Sequence, residues 1–301
     1  MNIVIFGAGA IGSLFGALLS KNNNVTLVAR KNHVNAIKKY GLSIKGITKL
    51  NLKIEVTDSV VNVEVSPDLL ILTVKSYDTD TAIKQASSII KENTQVLSLQ
   101  NGLDNIDKIK KYVYPEKILA GVTTHGAFFS KPGEIQHTGK GTTVIGELSG
   151  KKTEQLDEIS NLFNQAEIIT ITSQAIIKDI WSKAIINSCI NPLTTFFQCK
   201  NGYLIENPIL EHLVEMICKE SINIAKTQKL NFSYNEMINH TRDVIINTSE
   251  NYSSMLQSYK KYKKTEIGSI NGKLVKIGKN NGVDVSLNEM LVYLIKEGKL
   301  I

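Results

Sequence analysis

The first half of the chain alternates short runs of β-branched and aliphatic residues with helix-length amphipathic segments. That pattern predicts βαβ units and a mostly parallel sheet. Strands are expected at Ile3 to Phe6, Val25 to Ala29, Leu69 to Val74, Val96 to Leu99 and Ile118 to Gly121. Between the second and third of these, alternating runs at Leu42 to Ile44 and Leu50 to Val56, joined near Gly46, predict a hairpin set inside the parallel sheet. Beyond Gly121 the stretch from Gly133 to Gly146 carries short alternating runs, followed by an expected helix from Thr153 to Asn164 and a last strand from Ile168 to Thr172. From Ser173 onward apolar residues recur at three and four positions, so the second half is expected to be all helical. Pro208, Ser233 and Ser286 mark helix starts there. The fold class is therefore α/β: a mostly parallel sheet with covering helices over residues 1–172, then a helical domain over residues 173–301.

Composition narrows the class further. The chain has 301 residues, 42% hydrophobic and 21% charged, which excludes disordered, collagen-like and coiled-coil classes and suits about two domains. No apolar stretch approaches the ~20 residues that span a bilayer, and no basic segment with an apolar run precedes the first strand, so neither membrane insertion nor secretion is expected. Cys189, Cys199 and Cys218 form no CxxC pair, which argues against a zinc site or a disulfide framework and favours a cytoplasmic protein without a metal. The net charge of +7 is spread along the chain. Its densest cluster, Lys260, Lys261, Lys263 and Lys264 with Tyr259 and Tyr262, reads as a solvated face rather than a nucleic-acid surface, and the excess charge suits an anionic substrate or cofactor.

Residues 3–12 form a buried-strand pattern running directly into GxGxxG at Gly7, Gly9 and Gly12, followed by an apolar helix through Leu14, Phe15, Leu18 and Leu19. In a dinucleotide-binding turn the first glycine permits the tight turn, the second lets the backbone approach a pyrophosphate, and the third allows helix and strand to pack closely. The second strand ends Leu-Val-Ala-Arg-Lys. Arg30, with Lys31 beside it, offers a planar donor fork to a ribose 2′-phosphate and no carboxylate to repel it, which favours NADPH over NADH. Lys75, Gln100-Asn101-Gly102 and Thr123-Thr124-His125 follow the carboxyl ends of the other strands, where ligands bind in open α/β sheets.

In the second half, the segment from Ile180 to Thr194 is apolar or small around most of its circumference, and Lys183, Asn187 and Asn191 interrupt it at i, i+4 and i+8. That spacing sets them in a row on one helix face. Burial would lower the lysine pKa toward the range of a proton donor, and the asparagines can hydrogen-bond an oxygen-rich molecule. Pro192 is expected to kink or end this helix just after Asn191. Glu266 flanks an apolar stripe of Ile267, Ile270, Leu274 and Ile277; alone, it would read as a surface ion pair with Lys263.

Taken together, GAGAIG at Gly7 to Gly12, Arg30, Lys75, Asn101-Gly102, TTHGA at Thr123 to Ala127, WxKxxxNxxxNPLT from Trp181 to Thr194, Asn201-Gly202, ENxSSMLQ from Glu250 to Gln257 and TEIxxING from Thr265 to Gly272 resemble the ketopantoate reductase (2-dehydropantoate 2-reductase) family over essentially the whole chain. The resemblance implies a Rossmann-type doubly wound sheet followed by a C-terminal helical domain like that of 6-phosphogluconate dehydrogenases. It also implies NADPH-dependent reduction of 2-dehydropantoate to pantoate on the way to pantothenate and coenzyme A. By it, Gly7, Ala8, Gly9, Ala10, Ile11, Gly12, Arg30, Lys75, Asn101 and Ala127 would contact NADPH. Lys183 would be the proton donor, and Asn101, Lys183, Asn187, Asn191, Asn201, Ser254 and Glu266 would contact the substrate, with Lys183 and Glu266 catalytic. A reductase of another branched 2-oxoacid, or a non-catalytic NADPH sensor, are the competing classes. The expected partner is a small 2-oxoacid, with no nucleic acid and no membrane, and the chain is expected to be a monomer or a homodimer.

Overall fold

A computed structural model of the chain describes residues 1–297; the last four residues of the expected helical domain, 298–301, lie outside the described residues. The chain forms two compact units, one of Met1–Gln100 with Asn105–Asp179, the other of Asn101–Asp104 with the chain from Ile180 onward.

The first unit contains strands β1 (Asn2–Phe6), β2 (Asn24–Val28), β3 (Leu42–Gly46), β4 (Leu50–Leu52), β5 (Glu55–Thr57), β6 (Leu69–Leu72), β7 (Gln95–Ser98), β8 (Ile118–Thr123), β9 (Gly126–Lys131), β10 (Glu134–Gly139), β11 (Thr143–Glu147) and β12 (Thr170–Thr172). Its helices are α1 (Ala10–Leu19), α2 (Lys31–Tyr40), α3 (Thr79–Ala86), α4 (Asn105–Ile109) and α5 (Glu154–Gln165). The main sheet has eight strands in the order β12-β11-β8-β7-β6-β1-β2-β5. From β5 to β8 every pairing is parallel, while β11 runs antiparallel to β8. Counted along the main sheet alone, β5-β2-β1-β6-β7-β8 is the 3-2-1-4-5-6 order of dinucleotide-binding folds, with its switch point between β1 and β6. Alternate residues of the central strands serve opposite faces: Ile3, Ile5, Leu69 and Ile71 enter one core with α1 and α5, and Val4, Leu70 and Leu72 enter another with α3.

The expected hairpin is only half present. β3 and β4 pair antiparallel, but the run from Leu50 to Val56 breaks, and β5 leaves to extend the main sheet beside β2. The hairpin instead joins β10 and β9 in a separate sheet of order β4-β3-β10-β9. Its buried residues Leu42, Ile44 and Ile135 share the core of α1, which explains why this helix is buried along nearly its whole length.

The second unit is helical, built from α6 (Ile176–Phe196), α7 (Tyr203–Glu206), α8 (Pro208–Thr227), α9 (Tyr234–Asn247), α10 (Ser254–Lys260), α11 (Asn271–Asn280) and α12 (Ser286–Glu297), whose first helix begins four residues before the unit does. Asn207, Ser233 and Ser253 cap α8, α9 and α10 with their side chains. For α12 the Glu220 carboxylate, buried on α8, accepts the Leu287 and Asn288 amides at 2.9 and 2.8 Å.

The helix does not end at Pro192: α6 runs through it to Phe196. Proline has no N–H for the carbonyl of Ser188, four residues earlier. The Asn271 side-chain amide supplies that hydrogen bond, Nδ2 to Ser188 O at 3.1 Å. Thr194 and Thr195 hydroxyls donate to the Ile190 and Asn191 carbonyls in the same stretch.

Candidate active site

The turn after β1 is tightly held. The Gly7 and Ala8 amides both donate to Val28 O at 3.0 Å, and Thr73 Oγ1 donates to Gly7 O at 2.9 Å. Gly7 has φ +105°, and a Cβ there would stand 2.5 Å from the Val74 nitrogen. A Cβ on Gly12 would stand 2.4 Å from Thr73 Oγ1, so both glycines are required by packing. Gly9 differs, since among the described residues a Cβ there would meet nothing closer than Gly7 O at 3.7 Å. It leaves an open cradle at the N-terminus of α1, which carries no side-chain cap and no acidic residue in its first turn. Exposed amides and the positive helix end fit a pyrophosphate there. Ala8, Ala10 and Ile11 complete the cradle.

Arg30 is the N-cap residue of α2, and Lys31 its first residue. Two cations at the positive end of a helix are mutually unfavourable until an anion joins them. The Arg30 guanidinium lies 3.8 Å from Asp78 Oδ2, with side-chain exposures of 79% and 46%, so this pair is weak and leaves the fork available. Lys75 caps the short turn after β6. Gln100 stitches strand ends together, donating to Val74 O and Thr79 Oγ1 and accepting from Ser98 Oγ. Ala127 sits in β9 of the small sheet, partly buried against the α1 core.

Two buried histidines brace this region, and one of them, His33, carries no motif signal in the sequence beyond its place on the buried face of α2. Its Nδ1 accepts from the Gly133 amide at 2.9 Å, which fixes the proton on Nε2, 3.1 Å from Ser13 Oγ. Ser13 Oγ donates to Ala8 O, so the chain of bonds ends on the glycine turn. His125 packs edge-on to Phe15 with its Nδ1 3.5 Å from His137 Nε2. Burial holds both His33 and His125 down to about 4, with His137 and Lys140 adding to the effect at His125. Both are neutral at pH 7.

In the second unit Lys183 and Asn187 are half-buried on α6, and Asn191 is buried. The other expected residues are drawn to the same helix by hydrogen bonds. Thr194 Oγ1 lies 2.7 Å from Ser253 Oγ, a hydrogen bond that ties the start of α10, and exposed Ser254 with it, to the end of the row. Asn201 donates its backbone amide to Asn251 O and its Nδ2 to Thr248 Oγ1 at 2.9 Å. Its Oδ1 is buried with no partner among the described residues, an acceptor open to a ligand hydroxyl. Glu266 is 7% exposed, which excludes a solvent-exposed ion pair. It lies in the turn before α11, whose Asn271 holds Ser188 O beside the row. The segment Asn101–Asp104 joins this turn too: Leu103 donates to Ser269 O at 2.9 Å, Ser269 Oγ to Asp104 Oδ2 at 3.3 Å, and a Cβ on Gly102 (φ +100°) would press on Ser269. The segment Asn101–Asp104 accordingly groups with the helical unit.

Among the described residues no group of three His, Cys, Asp or Glu side chains could hold a metal ion, and no helix is long and apolar enough to cross a membrane.

A 3-2-1-4-5-6 sheet with an open glycine cradle at its switch point, in a chain that also carries a lysine–asparagine row, defines a nicotinamide-dependent oxidoreductase. Residues 3–150 match the family model for ketopantoate reductase PanE/ApbA, and residues 175–299 match that for its C-terminal region. The 2-dehydropantoate 2-reductases of Pyrococcus abyssi (strain GE5 / Orsay) and Pyrococcus horikoshii are 42% and 39% identical, each over 98% of this chain and 97% of the relative. A D-mandelate dehydrogenase solved with NADH and anilino(oxo)acetate superposes with a TM-score of 0.95 at 30% identity, covering 99% of this chain and 98% of its own. A PanE/ApbA family ketopantoate reductase from Ralstonia eutropha JMP134 does so at 0.91 and 27% identity, with the same coverage of each chain. The chain belongs to the ketopantoate reductase family.

Proposed function

We propose that this protein reduces 2-dehydropantoate to pantoate with NADPH, residues 1–172 holding the cofactor and residues 173–301 the substrate. The observation that carries the reading is the hydrogen bond from Asn271 to Ser188 O, which holds the Glu266 turn against the stretch of α6 bearing Lys183, Asn187 and Asn191. Full-length similarity to 2-dehydropantoate 2-reductases supports the substrate.

A bound reduced nicotinamide supplies the hydride that the ketone carbon accepts. Gly7 to Gly12 with the N-terminus of α1 would hold the pyrophosphate, Arg30 would take the 2′-phosphate, and Lys75, Asn101 and Ala127 would contact the rest of the cofactor. Lys183 Nζ donates a hydrogen bond to the ketone oxygen and passes it a proton as negative charge develops there. Glu266 holds the substrate hydroxyl. Asn187, Asn191, Asn201, Ser254 and Asn101 fix the remaining oxygens, so the ketone keeps a reactive orientation. The product hydroxyl therefore carries one proton from Lys183, which is re-protonated from solvent.

The D-mandelate dehydrogenase relative was solved with NADH, which makes the Arg30 reading the part most open to test. NADPH and NADH oxidation measured side by side with 2-dehydropantoate, pyruvate and other branched 2-oxoacids tests substrate and cofactor together. Preference for a different 2-oxoacid would overturn the substrate. The remaining expectations belong to the same proposal: a cytoplasmic enzyme, monomeric or homodimeric, with no nucleic-acid partner.

A further inference from the structure

Asn271 is fully buried at the first position of α11, and both protons of its amide are committed. One bond goes to Ser188 O at 3.1 Å, the other to Asn288 Oδ1 at 2.9 Å. Asn288, also fully buried, donates its Nδ2 to Glu220 Oε1 at 2.8 Å and to Ser221 Oγ at 3.3 Å, and Ser221 Oγ lies 3.1 Å from Ser188 Oγ. The result is a closed polar circuit through α6, α8, α11 and α12 that returns to the residue where it began. Its contact on α6 falls on the carbonyl that Pro192 deprives of a helical donor, one residue after Asn187 and three before Asn191. At its other end, the Ile270 amide donates to Glu266 O, one turn away from Asn271.

We propose that Asn271 is a positioning residue for the reaction. By taking the carbonyl orphaned by Pro192, it keeps α6 continuous through the asparagine row and fixes that row in register with Glu266. The inference rests on the roles proposed above for the row and Glu266. Without the amide, Ser188 O is buried and unpaired, and the helix relieves it by shifting at Pro192. A displacement of about 1 Å in a reacting geometry costs on the order of 100-fold in rate.

Pro192 makes the test specific, because Pro192→Ala returns an N–H to Ser188 O and makes the Asn271 amide dispensable at that site. The wild type, Asn271→Ala, Pro192→Ala and the double variant are compared by kcat, KM for 2-dehydropantoate, NADPH Kd and thermal midpoint. Asn271→Ala is expected to lose about tenfold or more in kcat with NADPH Kd within about twofold of wild type, and the double variant to recover to within about threefold of Pro192→Ala. A fall in thermal midpoint with kcat and KM unchanged would make Asn271 merely structural and overturn the proposal. So would a double variant as slow as Asn271→Ala. Asn271→Ser, which keeps one donor, is carried in parallel and read by the same criteria should the alanine variant fail to fold. The thermal midpoints need no substrate: a smaller loss from Asn271→Ala in the Pro192→Ala background supports the hydrogen-bond basis, and additive losses overturn it. A wild type that does not turn over 2-dehydropantoate would refute the proposed substrate while leaving that coupling to be read.

Discussion

A side chain on Gly12 would press its first carbon to within 2.4 Å of Thr73 Oγ1, whereas the same carbon on Gly9, three residues earlier, would come no closer than 3.7 Å to Gly7 O. Two glycines of one motif are thus kept for different reasons, one by packing and one by room for a ligand. Gly9→Ala is expected to fold with a thermal midpoint close to wild type and to weaken NADPH binding by about tenfold or more. Gly12→Ala is expected to lower the midpoint as well, since helix and strand must separate. Thermal melts with and without NADPH separate the two.

Lys183→Ala is expected to lower kcat by about 100-fold or more, the usual range for a lost proton donor, with NADPH Kd within about twofold of wild type. Single-turnover kinetics and cofactor titration read the two quantities separately. Equal loss of binding and turnover would remove Lys183 from the proton-donor role.

Arg30→Ala should raise the KM for NADPH by roughly tenfold to 100-fold, the cost of charge-assisted hydrogen bonds to a phosphate, and leave that for NADH nearly unchanged. Steady-state kinetics with both cofactors check it. A parallel loss for both would place the guanidinium away from the 2′-position.

Acid should unfold the first unit ahead of any loss of carboxylate contacts. His33 and His125 stay neutral in the folded chain down to about pH 4, while unfolded imidazoles take up protons near pH 6.5. Between those values the unfolded state binds more protons, so stability falls as the pH drops from 6.5 to 4, by about 3 kcal/mol for each histidine. Urea unfolding at stepped pH measures it, and His33→Gln should flatten part of the slope.

Much of this fold is legible in the sequence because its signals are local. The strand-turn-helix from Ile3 to Leu19, the change to helical periodicity after Ser173 and the helix starts marked by Pro208 and Ser233 each depend on a few neighbouring residues. What escapes local reading depends on distant partners. β3 finds β10 some ninety residues on, and the Leu50 to Val56 run divides between two sheets. Pro192 lacks the N–H that Ser188 O would take in a regular helix, and the side chain that supplies a donor there, Asn271, lies far along the chain. The segment Asn101–Asp104 follows a sheet strand in sequence yet groups with the helical unit, with Leu103 and Asp104 bonded to Ser269, a pairing that spacing does not reveal. Among the proposed site residues, the row on α6 is readable from its i, i+4, i+8 spacing, while the burial of Glu266 and the bracing by His33 emerge only in the folded chain.

The most direct test is NADPH oxidation by the purified protein, followed with and without 2-dehydropantoate and with NADH alongside. Rapid oxidation of NADPH that requires 2-dehydropantoate, with NADH much slower, is the expected result. NADPH that binds but is not consumed with this substrate would contradict the proposed reaction.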